Sequence, residues 1–224
     1  TETKMSKKTA VVLFQLGGPD SLKAIEPFLY NLFCDPDIID IPGAFLFRKT
    51  LARIISSRRA PKVQKLYEKI GGGSPILVQT ELQARRLKES LAKQGLAAEV
   101  YIAMRYWHPM TKEVVDRLQR EKVDEVVLLP LYPHFSKVST GSSMNEWKRN
   151  VALSNANHFS TKLVESYCDH PFYIAALVEN IARALERVPR EERKNVHLDF
   201  SAHGTPLKLV KQGDPYSHHI RKTY

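Results

Sequence analysis

Five short apolar runs recur along this chain, each ending in a polar or aromatic turn and most leading into a stretch patterned for a helix. Residues 10–14 close in Gly17-Gly18-Pro19-Asp20, and residues 100–104 run into Arg105-Tyr106-Trp107-His108-Pro109. Residues 126–131 run into Tyr132-Pro133-His134-Phe135-Ser136, and residues 162–166 precede Tyr167-Cys168-Asp169. In the fifth run Val196, Leu198 and Phe200 alternate with His197, Asp199 and Ser201, the period of a half-buried strand ending at His203. Between the runs lie helical patterns. The clearest takes Ser74 as N-cap and Pro75 as first helical residue and stops at Gly95. Val114, Val115 and Leu118 mark another helix, and Ile174, Leu177, Val178, Ile181 and Leu185 a third at 3.6-residue spacing. Strand–helix alternation of this kind predicts parallel strands joined by right-handed crossovers, hence an α/β fold with doubly wound parallel sheets.

Ligands of such sheets gather beyond the carboxyl ends of the strands. The residues expected there are Gln15 and Leu16, then Arg105, Tyr106 and His108, then Tyr132 and His134, then His203. A pocket of this character suits a flat, apolar, anionic ligand. An imidazole at a strand end can ligate a metal or move a proton near neutral pH, or simply hydrogen-bond a neighbouring backbone group. Residues 32–59 break the rhythm with a long apolar insertion bracketed by Arg48, Lys49, Arg53, Arg58 and Arg59. Its two readings are a binding lip, suited also to an anionic bilayer surface, and a helix pair covering the sheet.

The net charge of +10, from 34 Lys and Arg against 24 Asp and Glu, calls for an anionic partner or serves solubility. No basic helix with interleaved stacking aromatics supports nucleic acid as that partner. Gly71-Gly72-Gly73-Ser74-Pro75 and Thr140-Gly141-Ser142-Ser143 each open a helix and could hold a carboxylate or form a tight turn. Neither is followed by the Lys-Ser/Thr of a phosphate loop, and no GxGxxG follows the first strand. The two cysteines, Cys34 and Cys168, form no CxxC pair and read as reduced thiols of a cytoplasmic protein. Thr1 to Lys8 do not form a signal peptide, Met5 reads as a native start preceded by a short non-native extension, and no run approaches the length of a membrane span.

Seven motifs occur in one order. They are Leu16-Gly17-Gly18-Pro19; Arg58-Arg59-Ala60-Pro61; Tyr67 with Gly71-Gly72-Gly73-Ser74-Pro75; Arg105-Tyr106-Trp107-His108-Pro109; Tyr132-Pro133 with Ser139-Thr140-Gly141-Ser142-Ser143; Ser201-Ala202-His203; and Gly213-Asp214-Pro215-Tyr216. In that order and spacing the chain resembles the ferrochelatase family over residues 8–216. The resemblance implies two Rossmann-like domains with a porphyrin cleft between them. Residues 1–167 would form the first, with a porphyrin lip at about 32–59, and residues 168–224 the start of the second, incomplete one. It implies insertion of ferrous iron, a substrate, into protoporphyrin IX to give protohaem, with no permanently bound cofactor.

His203 matches the metal-site and catalytic histidine. Arg58, Arg59, Tyr67 and Ser74 match positions around the porphyrin propionates, Arg59 and Ser74 most directly. Arg105 and Tyr106 match a polar pair opposite the histidine, Tyr132 the cleft wall, and Phe33 the apolar lip. Leu16 stands where coproporphyrin-type members carry tyrosine, which favours protoporphyrin. Two departures follow. Lys137 stands where animal members carry a cysteine ligand of an iron–sulfur cluster, and no ligand set for such a cluster is found. The chain also stops at Tyr224, whereas the family continues and carries its second metal-site residue, a glutamate, in that continuation; Glu26 and Glu165 match no motif. The resemblance therefore leaves open a truncated, inactive porphyrin-binding fragment, or a related chelatase acting on another tetrapyrrole. Localisation is expected to be cytoplasmic, with peripheral attachment at the inner face of the membrane left open.

Overall fold

The computed structural model describes residues 7–38, 46–154, 156 and 158–224. By packing it divides into two units, the described residues up to Tyr132 with Val138–Val164, and Pro133–Lys137 with Glu165–Tyr224.

The first unit is a parallel sheet of β1 (Thr9–Gln15), β2 (Ala98–Met104), β3 (Glu125–Pro130) and β4 (Ser160–Leu163), in the order β2-β1-β3-β4. After β1 the chain forms α1 (Ile25–Cys34), α2 (Arg48–Glu68) and α3 (Ile76–Lys93) before entering β2. α4 (Thr111–Arg120) then joins β2 to β3, and α5 (Ser142–Leu153) lies between β3 and β4. Strand side chains alternate in direction, so β1 feeds two cores. Ala10, Val12 and Phe14 join Val114, Val115 and Leu118 of α4 and Trp147 of α5 on one face. Val11 and Leu13 join Ala84, Leu87 and Leu91 of α3 on the other. Helices on both faces of a parallel sheet make the fold doubly wound, as expected. Each fully buried Val or Leu here contributes about 1.5–3 kcal/mol of burial free energy.

Boundaries shift slightly from the sequence reading. α3 begins at Ile76 with Pro75 as N-cap, and Ser74 Oγ accepts the Ile76 N–H at 3.3 Å. β4 lies two residues before its expected start. The 32–59 insertion resolves largely into helix: α1 ends at Cys34, and α2 carries Arg58 and Arg59 in mid-helix and continues through Pro61. The part of that expectation at residues 39–45 lies outside the described residues, as does Met5.

In the second unit come α6 (Pro171–Leu185), α7 (Leu207–Lys211) and α8 (Tyr216–Thr223). The fifth expected strand does not form. Residues 196–206 pair with no neighbour, and Val196, Leu198 and Phe200 are 40%, 53% and 59% exposed. The alternating pattern is present, but a strand needs a partner ladder for its N–H and C=O groups, and this unit supplies none among the described residues. The Gly213-Asp214-Pro215-Tyr216 motif organises this unit through its carboxylate. Asp214 accepts Ser136 Oγ–H and Lys137 N–H, each at 2.8 Å, and the Tyr216 N–H at 2.9 Å. Both cysteines are free thiols, Cys168 buried and Cys34 half-buried. No described helix is long and apolar enough to cross a membrane.

Glu121, at the end of α4, ties that helix to the sheet. It accepts hydrogen bonds from Tyr101 Oη at 2.6 Å and Arg117 Nε at 2.8 Å, and Lys8 Nζ lies 3.4 Å away. The Tyr101 bond first, and Arg117 next, hold its carboxyl down to about 2 against an ordinary 4.5. A depressed carboxyl contributes stability above its unfolded value and loses it as pH falls through the folded one. Melting temperature is therefore expected to drop more steeply in the wild type than in Glu121→Gln as pH falls from 4.5 toward 2. Parallel curves for the two proteins would remove Glu121 from acid unfolding.

Candidate active site

The winding of the sheet reverses at β1. The first crossover carries it outward to β2, and the next returns it past β1 to β3. Such a switch point opens a crevice beyond the strand ends. Leu16 follows β1 and is 36% exposed. Tyr132 lies just beyond β3, half-buried, with its hydroxyl 3.4 Å from Ser143 Oγ. Burial pushes the Tyr132 phenol above its ordinary range. The turn after β2 continues the pairing, since Arg105 N–H donates to Gln15 O at 2.9 Å and Tyr106 N–H to Leu16 O at 3.0 Å.

Beside this crevice α1 and α2 pack as a pair. Ile25, Phe28, Leu29, Ala60 and Tyr106 form their buried core, with Phe33 and Tyr67 packed against it. The Arg59 guanidinium lies over the Phe33 ring, 5.7 Å from its centroid, as a cation does over an aromatic face. Arg58 and Arg59 are exposed, and neither forms an ion pair among the described residues. Burial raises the Tyr67 phenol, and the Tyr67 carbonyl accepts the Gly72 N–H at 2.8 Å, which closes α2.

The two glycine motifs meet. Ser74 N–H donates to Pro19 O at 2.7 Å, and a Cβ on Gly73 would stand 2.5 Å from the Asp20 carbonyl oxygen. Likewise a Cβ on Gly18 would stand 2.5 Å from Ser74 Oγ. Close approach thus accounts for both glycines, to the Asp20 main chain at Gly73 and to the Ser74 side chain at Gly18, and it seats Ser74 beside the turn after β1.

Arg105 and Tyr106 are held from behind by a residue the sequence reading passed over. The Asp35 side chain is fully buried, and its Oδ2 takes Tyr106 Oη–H and Ser142 Oγ–H at 2.5 Å each and Arg105 Nη2 at 2.9 Å. Asp37 N–H donates to Oδ1 at 2.9 Å. Arg105 also donates Nε–H to Ser142 Oγ at 2.8 Å, and its Nη1 lies 3.7 Å from Glu146. Burial by itself would raise the Asp35 carboxyl. Hydrogen bonds from Ser142 and Tyr106 and the Arg105 charge outweigh it and hold the carboxyl below its usual range. Burial and then the bond to Asp35 push the Tyr106 phenol upward. Tyr106 is 0% exposed, so its hydroxyl faces this network alone. Arg105, Asp35 and Glu146 also line a cavity of about 640 Å³ with Asn31, Cys34 and Thr111.

The first unit therefore gathers Leu16, Phe33, Arg58, Arg59, Tyr67, Ser74, Arg105, Tyr106 and Tyr132. His203 belongs to the second unit and is exposed, in the unpaired segment 196–206. No group of three or more His, Cys, Asp or Glu among the described residues could hold a metal ion.

A family model described as Ferrochelatase matches residues 8–224. The chain belongs to the ferrochelatase family. Among ferrochelatases it is similar to that of Aquifex aeolicus, 47% identical over 216 residues that make up 96% of this chain and 66% of that protein. The ferrochelatase of Geobacter metallireducens is 48% identical over 220 residues, 98% of this chain and 67% of the relative. That of Synechocystis is 43% identical over 218 residues, 95% of this chain and 55% of the relative. The chain thus spans about two thirds or less of the length of these curated relatives.

Proposed function

We propose that the chain acts in inserting ferrous iron into protoporphyrin IX to form protohaem, the terminal step of haem biosynthesis. The observation that carries this reading is the placement of Leu16 and Tyr132 just beyond the neighbouring strands β1 and β3, together with an aromatic face topped by a guanidinium at Phe33 and Arg59. A flat apolar ring with two carboxylates needs such a surface: apolar and aromatic walls for the ring, cations at its edge for the anions. Leu16 and Phe33 bear on the ring, and Tyr132 closes its wall. Arg58, Arg59, Tyr67 and Ser74 hold the propionates, and Arg105 and Tyr106 form the polar pair after β2.

Metallation strips water from the iron and removes two pyrrole protons. Firm holding of the ring edge lets binding energy offset distortion of the macrocycle, which brings the nitrogen lone pairs out of plane. His203 either delivers the iron through a neutral imidazole nitrogen or accepts one pyrrole N–H proton there, and the remaining protons pass to water. Binding is tested by quenching of protoporphyrin fluorescence, and turnover by metalloporphyrin absorbance with Fe(II) or Zn(II). Both signals are expected. Quenching without metallation would make the chain a porphyrin binder only, and absence of both would end the reading. Arg59→Ala is expected to weaken porphyrin binding roughly ten- to a hundredfold, the worth of one charge-assisted hydrogen bond; an unchanged Kd would free Arg59 from the propionates.

We propose also that the chain touches an anionic bilayer without spanning it. Leu46 and Phe47 are 68% and 69% exposed, just ahead of Lys49 and Arg53 on α2, and apolar groups beside cations favour such a surface. Salt-sensitive co-sedimentation with phosphatidylglycerol vesicles, and none with phosphatidylcholine, is the expected result. Equal behaviour toward the two lipids would refute it.

A further inference from the structure

Asp35 joins three segments that each carry part of the candidate site. It closes α1 two residues after Phe33, and it receives Tyr106 from the turn after β2 and Ser142 from the start of α5. Tyr106 in turn is fixed by its backbone: its N–H donates to Leu16 O at 3.0 Å, and its carbonyl accepts Asn31 Nδ2–H of α1 at 3.1 Å. One buried carboxylate therefore sets the spacing between Phe33 on α1 and Leu16 beyond β1. Ser142 is 0% exposed, as Tyr106 is, so neither hydroxyl has a route to a ligand in this arrangement. The Arg105 fork is engaged by Asp35, Ser142 and Glu146, and its guanidinium lies 4.9 Å from the Tyr106 ring centroid.

We infer that Asp35 is a positioning residue for the porphyrin site, and that Tyr106, Ser142 and Arg105 act through it rather than by touching the macrocycle. The inference rests on the proposed function. It assigns the polar pair after β2 to the support of the pocket and leaves ring contact to Leu16 and Phe33. A hydroxyl lost from either side of the same carboxylate should then produce the same loosening.

The test compares the wild-type chain with Ser142→Ala, Tyr106→Phe and the double variant, reading the Kd for protoporphyrin IX by fluorescence quenching. Measurements are made well below each protein's melting temperature, so that a loss of stability alone leaves Kd unmoved. Each single variant is expected to weaken binding about three- to tenfold, as loss of roughly one hydrogen bond would. The double variant should be no weaker than the weaker-binding single one, because the two hydroxyls share one network. Ser142→Thr, which keeps the hydroxyl, should recover affinity that Ser142→Ala loses. If Tyr106→Phe weakens binding while Ser142→Ala stays within about twofold of wild type, Tyr106 contacts the ligand directly and the inference is overturned. Multiplying effects in the double variant would overturn it as well. A wild-type chain that binds no porphyrin would instead end the functional reading, and this inference with it.

Discussion

Replacing Asp35 by Ala is expected to destabilise the first unit by about 3–5 kcal/mol, because it leaves the Arg105 charge buried without its partner. The Arg105 side chain is only 9% exposed, so water replaces the lost carboxylate poorly. Two further groups lose their acceptor at once, Tyr106 Oη and Ser142 Oγ. Glu146 is the nearest remaining carboxylate, but it stands 3.7 Å from Nη1 and is already engaged by Arg149 at 2.7 Å. Such a loss is a large part of the ~5–15 kcal/mol that holds a typical domain together. Urea unfolding followed by circular dichroism measures it through the midpoint. Asp35→Asn should fall between wild type and Asp35→Ala, since an amide oxygen still accepts from the hydroxyls while the countercharge is gone. A midpoint for Asp35→Ala within experimental error of wild type would mean that the network forms without contributing to stability.

Replacing His203 by Ala is expected to lower the metallation rate about 10²–10⁴-fold, the usual contribution of a positioned general base. Porphyrin affinity should stay close to that of the wild type, because the residues proposed as walls and propionate cations belong to the first unit. The exposed segment around His203 also makes the substitution mild for the fold: Gly204 has open space around it, and His203 lies outside the buried cores. The effect is thus expected in kcat, with Kd and melting temperature nearly unmoved. Unchanged turnover with Fe(II) would remove His203 from the mechanism. Loss of porphyrin binding in the same variant would make it a ligand contact instead.

Local pattern carried most of the first unit. The apolar runs at β1, β2 and β3 were legible because strands buried on both faces read as continuous apolar stretches. α4 was legible because Val114, Val115 and Leu118 fall on one helical face. The run at residues 196–200 shows the limit of this reading. Its alternation is as clean as that of any strand, yet pairing is a property of two segments, and its partner is missing from the described residues. Asp35 marks a second limit. Its partners lie 71 and 107 residues away in the chain, and nothing local to Cys34-Asp35-Pro36 signals a buried carboxylate. Ser142 lay inside a motif already singled out, but as a helix opening; its hydroxyl's destination could be read only from the fold. The resemblance identifies Arg105 and Tyr106 as a polar pair, and the structure adds the carboxylate that holds them.

The contact between Gly73 and the Asp20 carbonyl bears on how this sequence can drift over evolutionary time. Main chain presses on main chain there, so no rotamer change can relieve an added methyl group. Any lineage that replaced glycine at 73 would have to reshape the turn at 17–20 in the same step. The two stretches, far apart along the gene, are expected to mutate as one inherited block.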